Sequence, residues 1–254
     1  MNKEVISRNF SRCAYSYDDY ADIQQKAASE LLSRIEKDSF SKILEIGCGT
    51  GNFTSLLKQR FIHADFKAVD ISSGMIDLAR AKDQNKGVEF ITGDAENISF
   101  KERFDLIASN ACLQWLENLE NSLLKYKDWL EDNGMLCFSV FGPHTFRELN
   151  AVLGEGQVGK RITAASFINE DKINEVLNHN YKSVRFWESE YSEVLPSLKY
   201  LLQKVKYTGV RGVGVDRPGI FTPHLLGGLE KRYLDKFKEI RVTYQVFYFL
   251  GRKR

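Results

Sequence analysis

The 254-residue sequence predicts an α/β fold in which short strands alternate with helices around a mostly parallel sheet. Three apolar runs support this prediction, because each ends in a glycine or an acid, at Gly47, Asp70 or Gly93. Ligands bind at the carboxyl ends of the strands in open α/β sheets, so these three endings predict one binding edge. The residues after the first run have apolar positions three and four apart, which predicts a helix.

A glycine-rich turn after the first strand is the clearest indication of a site. Residues 42–46 form a short apolar run, Gly47, Gly49 and Gly51 stand at alternate positions, and Asn52 opens the helical pattern. Glycine lets backbone N–H groups approach a ligand closely and takes positive φ at low cost. The helix start adds unpaired N–H groups suited to a carboxylate or a phosphate.

The glycine spacing disfavours a dinucleotide site, whose third glycine comes five positions after the first, because position 52 is Asn. Residues 65–70 predict a second strand ending in Asp70, and an acid there can accept both hydroxyls of a ribose. Residues 88–92 predict a third strand, and residues 93–96 follow it as a candidate adenine-edge loop. A glycine turn in an unrelated α/β protein is the alternative, which these three features in this order disfavour.

Composition predicts an ordinary cytoplasmic protein. Hydrophobic residues make up 43% and the formal net charge is +2, so neither nucleic acid nor membrane is indicated as a partner. No run approaches the roughly 20 apolar residues that span a bilayer. Acids interrupt the first thirty residues, so no signal peptide is expected. The four cysteines and four histidines are scattered, which predicts reduced thiols and no metal site.

The N-terminal segment has two possible roles. Aromatic residues cluster between positions 10 and 20, including Tyr17 and Tyr20, and residues 23–35 predict an amphipathic helix. The aromatic segment either packs on that helix or forms a lid whose tyrosines close over a cofactor and an acyl group.

The middle of the chain predicts two more strands, at residues 105–110 and 134–141. A helix over about residues 118–130 separates them, and a short helix over residues 145–153 carries Arg147. The first of these strands ends beside the expected binding edge, so the residues that follow it are candidates for the site.

The last third of the chain has a basic window and a closing strand. Four basic residues occur there without an acid among them: Lys199, Lys204, Lys206 and Arg211. This window, with the glycine-rich residues 209–214, is either a solvated helix face or a docking patch for an acidic carrier protein. Apolar side chains alternate over residues 240–250, which predicts a final strand.

Segments along nearly the whole chain carry a family resemblance. At the N-terminus they are Arg8, Phe10, Ala14, Tyr17, Tyr20 and Gln24, and further along they are residues 44–51, 70–75, 93–96, 109–115, 141–149 and 242–244. The chain resembles the malonyl-acyl-carrier-protein O-methyltransferases of biotin synthesis, a family of class I methyltransferases. Residues 101–103, which are charged, and residues 188–224, which match loosely, depart from the pattern and bear on carrier specificity.

The resemblance implies a class I methyltransferase Rossmann-like sheet with helices on both faces and a final strand that pairs antiparallel. It implies a single domain over residues 1–254. Its expected parts are an N-terminal lid and helix at 1–38, a cofactor-binding core at 39–142, substrate-side helices and a loop at 143–239, and the final strand at 240–254.

The resemblance also implies S-adenosylmethionine as the cofactor and S-adenosylhomocysteine as its product. In the family pattern Glu45 would hold the amino group of the methionine moiety, Asp70 the ribose, and Asp94 the adenine edge. The full expected set is Tyr20, Gln24, Glu45, Gly47, Cys48, Gly49, Gly51, Asp70, Ile71, Met75, Asp94, Ala95, Glu96, Asn110, Ala111 and Gln114.

The implied reaction methylates the free carboxylate of a malonyl thioester, preferably on acyl carrier protein, and gives the methyl ester that begins pimeloyl and biotin synthesis. A carboxylate is ionised at neutral pH, so no general base is expected. Three residues are candidates for binding the substrate: Tyr17, Trp115 and Arg147. Trp115 could instead pack under the following helix, and Arg147 could instead lie on the surface.

Other functions stay open at this stage. The nearest is an S-adenosylmethionine-dependent methyltransferase of another small carboxylic acid or of a quinone precursor. The four prolines are never adjacent, which excludes the Pro-Pro-aromatic motif of amino-group methyltransferases. A nicotinamide-binding reductase and a non-catalytic binding module are the remaining alternatives.

Overall fold

The computed structural model describes residues 2–154, 163–208 and 223–254, where seven strands form one sheet. The strands are β1 Lys42–Ile46, β2 Asp65–Asp70, β3 Glu89–Thr92, β4 Phe104–Asn110, β5 Leu130–Phe141, β6 Tyr181–Leu195 and β7 Ile240–Lys253. Their order across the sheet is β3-β2-β1-β4-β5-β7-β6. All pairs from β3 to β5 are parallel, and β7 runs antiparallel to both of its neighbours. The predicted sheet with one antiparallel strand near the C-terminus is confirmed.

Helices cover both faces of this sheet, as predicted. They are α1 Lys3–Tyr17, α2 Asp22–Ser33, α3 Asn52–Arg60, α4 Ser73–Ala81, α5 Leu119–Trp129, α6 Arg147–Gly154, α7 Glu170–Asn180, α8 Leu198–Tyr207 and α9 Pro223–Phe237. Apolar side chains of α2, α3, α6, α8 and α9 form one core, and those of α5 and α7 form a second core. No helix in the described ranges is long and apolar enough to cross a bilayer.

The predicted helix over residues 145–153 begins two residues later, at Arg147. Phe146 has φ of 60°, and this left-handed conformation cannot continue a right-handed helix. The amide of Phe146 donates instead to the carbonyl of Thr243 on β7, at 2.7 Å. The turn is thus tied to the sheet before the helix starts.

Strand β6 is the element that sequence reasoning missed. It pairs with β7 at the edge of the sheet, and most of its residues from Arg185 to Val194 are exposed or half-buried. Its acids Glu188, Glu190 and Glu193 interrupt any apolar run, so its pattern looks like a loop or a polar helix. Charged side chains are a common feature of edge strands, because they oppose pairing with another chain.

Candidate functional site

The glycine turn between β1 and α3 has the positive backbone φ angles that its glycines predict. Gly47, Gly49 and Gly51 have φ of 72°, 54° and 80°, a region that other residues rarely adopt. A Cβ on Gly47 would lie 2.1 Å from the sulfur of Cys112, so a side chain cannot fit there. A Cβ on Gly49 would meet nothing within 4 Å, because this glycine faces open space.

Asp70, at the end of β2, fixes this turn. Its Oδ2 accepts from the backbone N–H of Gly49 and its Oδ1 from the N–H of Ser72, each at 2.8 Å. Burial raises the pKa of this carboxyl, although the two backbone hydrogen bonds oppose the shift. Each oxygen keeps a lone pair, so the held carboxylate can still accept from a ligand.

A first cavity lies over the ends of β1, β2 and β4 and holds most of the predicted cofactor residues. It encloses about 710 Å³ of space, open mouth included. The predicted residues in its lining are Tyr17, Gly47, Gly49, Asp70, Ile71, Met75, Asp94, Ala95, Asn110, Ala111 and Trp115. An adjoining recess adds Gln24, Glu45 and Cys48.

Glu45 lies at the inner end of this recess and is 1% exposed. Thr54 of α3 donates a hydrogen bond of 2.5 Å to its Oε2. Burial, opposed by that hydrogen bond and aided by the charge of Asp70, raises the pKa of Glu45 to about 8. At neutral pH the carboxyl is therefore mostly protonated until a cation approaches it.

Four predicted cofactor residues lie outside these two linings: Tyr20, Gly51, Glu96 and Gln114. Two of them, Glu96 and Gly51, hold the surrounding structure. Glu96 binds Lys3 and accepts from the backbone N–H groups of Glu117 and Asn118, at 2.9 and 2.8 Å. Gly51 caps the start of α3, and a Cβ there would lie 2.4 Å from the side-chain nitrogen of Asn85. Neither residue lines the first cavity or the recess.

Helix α1 forms one wall of the first cavity, with Lys3, Ile6, Phe10 and Tyr17 in its lining. Near its start Lys3 donates to Asp94 at 2.7 Å, and in its middle the hydroxyl of Ser7 donates to the carbonyl of Ile71 at 2.9 Å. Just after its end Asp18 accepts from Thr50 at 2.5 Å. These polar contacts place α1 over the strand ends rather than on α2 alone, as the lid interpretation expects.

A second cavity adjoins the first, and its wall is mostly aromatic and aliphatic. Its lining is Phe10, Tyr17, Tyr20, Gln24, Ala111, Gln114, Trp115, Phe141, Thr145, Phe146, Leu149, Ala164, Phe167, Leu202, Lys204, Val205, Thr208 and Tyr244. Phe10, Tyr17, Ala111 and Trp115 line both cavities. Tyr20 and Gln114, which were also expected beside the cofactor, line only the second of these two cavities.

Tyr17 stands where the two cavities and the recess meet. Its hydroxyl has no hydrogen-bond partner among the residues that the structure describes. Burial raises the tyrosine pKa well above its usual value, and the charges of Asp70 and Asp18 add to the shift. The hydroxyl therefore keeps its proton and is available as a donor to a ligand.

Arg147 is not in either cavity. It lies on the outer side of α6 with its side chain 48% exposed, where its guanidinium binds Glu190 of β6 and also approaches Glu148. In this conformation the guanidinium reaches neither cavity, which is the placement that the surface interpretation expects.

Lys204 is buried, whereas both interpretations of the basic window expected it to be exposed. It is 5% exposed, lines the second cavity, and donates to both oxygens of Glu193, at 2.6 and 2.8 Å. Its position three residues after Leu201 and four before Thr208 puts it on the buried face of α8, a signal that the sequence contained. Lys199 and Lys206 are exposed as expected, and Arg211 and residues 209–214 lie outside the described residues.

Comparisons with known proteins agree with this geometry. The family described as "Methyltransferase domain" matches residues 44–138. A malonyl-[acyl-carrier protein] O-methyltransferase of Priestia megaterium is 31% identical over 98% of this chain and 97% of its own length. One of Bacillus cytotoxicus is 32% identical over 98% of this chain and 91% of its own. A Haemonchus contortus phosphoethanolamine N-methyltransferase in complex with S-adenosyl-L-methionine shares the fold, with TM-score 0.58 and 14% identity, covering 95% of this chain and 57% of that one.

Proposed function

The chain belongs to the family of malonyl-[acyl-carrier protein] O-methyltransferases, and from this premise we propose that it methylates the free carboxylate of a malonyl thioester. S-Adenosylmethionine supplies the methyl group, and the preferred acceptor is malonyl-acyl-carrier protein. The product is the methyl ester that begins pimeloyl and biotin synthesis. The four free cysteines agree with action in the cytoplasm.

The observation that carries the proposal is the pair of cavities with a shared wall. The first has a glycine turn and fixed carboxylates, and the second has an apolar lining. Tyr17, Trp115 and Ala111 belong to both. A methyl donor in the first cavity would therefore lie next to an acyl group in the second, because the two cavities adjoin at this shared wall.

The residues of the first cavity fit S-adenosylmethionine. Open space beside Gly49 leaves room for the methionine moiety, and Glu45 in the recess can ionise to hold its ammonium. Asp70 has lone pairs left for a ribose, and Asp94 and Ala95 line the opposite side for the adenine edge. When bound, this molecule supplies a methyl group on a positively charged sulfur that a carboxylate oxygen can attack directly.

The chain itself needs no group that removes a proton, because the acceptor carboxylate is already ionised. Tyr17 can donate its free hydroxyl to one carboxylate oxygen and leave the other to react. The apolar wall excludes water, which otherwise stabilises the separated charges more than the partly neutralised transition state. Holding the reacting atoms in line contributes on the order of 7–11 kcal/mol in well-aligned cases.

The carrier protein would dock near the mouth of the second cavity. Lys199 and Lys206 are exposed on α8, the helix whose Leu202 and Val205 line that cavity, and an acidic carrier would be attracted to them. Lys204 is removed from this proposal, because its ammonium is already paired with Glu193 inside the fold.

Mass spectrometry of malonyl-carrier protein after incubation with S-adenosylmethionine tests the proposal. We expect one added methyl group, removable by ester hydrolysis, and no change without the methyl donor. Malonyl-coenzyme A, free diacids and a quinone precursor serve as competing acceptors. Methylation of a free diacid or of the quinone precursor, without methylation of malonyl-carrier protein or malonyl-coenzyme A, would assign the chain to another substrate.

A further inference from the structure

Gln114, in the short helical turn after β4, contains a buried acceptor without a partner. Its side chain is 7% exposed, and its Oε1 has no hydrogen-bond partner in the part of the chain that the structure describes. An unpaired buried acceptor costs free energy of the same order as a lost hydrogen bond, so such atoms usually have a partner in the functional state.

The orientation of this amide is set by its neighbour. The Nε2 of Gln114 donates to the carbonyl of Ala111 at 2.7 Å, so its Oε1 is the atom left over. Ala111 has φ of 51°, and its N–H donates to the carbonyl and hydroxyl oxygens of Ser139, each at 3.0 Å. The side chain is thus held from one side and cannot turn its amide without losing that bond.

The position of Gln114 indicates what should reach it. It lines the second cavity beside Ala111 and Trp115, which also line the first cavity. An acyl chain whose reactive end lies at that junction continues through the second cavity past Gln114. The missing partner is a hydrogen-bond donor, and the apolar lining suits a thin, uncharged arm.

We propose that Gln114 accepts a hydrogen bond from the amide N–H nearest the sulfur of the thioester arm, and that it thereby selects amide-bearing thioesters. This inference rests on the proposed function. The arm of acyl carrier protein and that of coenzyme A share this amide, so Gln114 recognises the arm and the exposed surface distinguishes the two sources.

Two small substrates isolate the single N–H. One is the malonyl thioester of N-acetylcysteamine, and the other is the malonyl thioester of 2-acetoxyethanethiol, in which an ester oxygen replaces the N–H. We expect the protein to prefer the amide by about tenfold in kcat/KM, because the ester loses one hydrogen bond and faces Gln114 with a second acceptor. Gln114→Met, of similar volume and without the acceptor, should lower this preference to less than about twofold.

Gln24→Met is the matched control, since it makes the same change at another glutamine of the second cavity and should keep the preference. A merely structural role for Gln114 would slow both substrates equally and leave the ratio unchanged, which would overturn the inference. Equal rates with both substrates in the unaltered protein would overturn it as well while leaving the proposed function intact. No methyl transfer to either substrate or to malonyl-carrier protein would overturn both. The Gln114→Met loss should be similar with malonyl-carrier protein and malonyl-coenzyme A, and a loss confined to one of them would contradict recognition of the shared arm.

Discussion

Replacing Asp70 by alanine should separate cofactor binding from the rest of the fold. The carboxylate accepts from the N–H groups of Gly49 and Ser72 at 2.8 Å each, and under the proposed function it also accepts the ribose hydroxyls. Hydrogen bonds to a charged group contribute about 1.5–3 kcal/mol each. Loss of the ribose bonds should therefore weaken S-adenosylmethionine binding by about a hundredfold or more.

Titration calorimetry with S-adenosylmethionine and with S-adenosylhomocysteine measures this effect. Asp70→Ala also removes the acceptor of two backbone groups, so urea unfolding at the assay temperature must first show that nearly all of the variant is folded. Asp65→Ala is the matched control, because Asp65 begins the same strand at the opposite edge, is exposed, and has no side-chain hydrogen bond within the described ranges. A folded Asp70→Ala protein whose dissociation constant stays within about threefold of the unaltered value would refute the assigned role of β2.

Three further outcomes follow from the contacts at and around the cavities. Arg147→Ala should change malonyl-thioester turnover by less than about twofold in steady-state assays, because its salt bridge with Glu190 is exposed; a tenfold loss would return Arg147 to the site. Lys204→Met should lower the free energy of unfolding in urea by about 3–5 kcal/mol, because Glu193 loses its buried counterion. Adding Glu193→Gln to this variant should restore much of the lost stability. A double variant no more stable than Lys204→Met alone would contradict this explanation. The raised pKa of Glu45 means that the folded state holds this proton more tightly, so its contribution to stability is present below about pH 4.5 and is lost as pH rises to about 8. In that window the free energy of unfolding of Glu45→Gln should fall less steeply with pH, by up to about 1.4 kcal/mol per pH unit, and identical slopes would exclude the shift.

The cofactor edge was predictable because its signals are local. Positive φ at Gly47 and Gly49 is a demand that short stretches of sequence reveal, and Asp70 ends its strand whatever the rest of the chain does. The parallel order of the strands then brings these endings together. The closeness of these strand ends in space followed from the fold class, and no further feature of the sequence was needed to predict it.

The substrate side was less predictable because it depends on which way each helix turns its side chains. Arg147 and Lys204 are both basic residues on short helices, but α6 turns the first towards solvent and α8 turns the second into the core. Tertiary packing sets those rotations: α6 packs against β7 and α9, and α8 packs against β6, α9 and α1. Strand β6 itself was hidden by its acids. The helical spacing around Lys204 was the one clue available, and the charge of the residue outweighed it.

Helix α1 contributes side chains to the walls of both cavities. Phe10 and Tyr17 on this helix line both cavities, so any movement of α1 away from the strand ends opens both together. The contacts that hold it at Lys3, Ser7 and Asp18 are polar, and water can replace each of them at low cost, unlike a buried apolar contact. One of them, Lys3 to Asp94, involves a carboxylate expected to meet adenine, so filling the first cavity should change how firmly α1 is held over the second. Under the proposed function, access for the acyl group would then depend on occupation of the cofactor site, because the same helix lines both cavities.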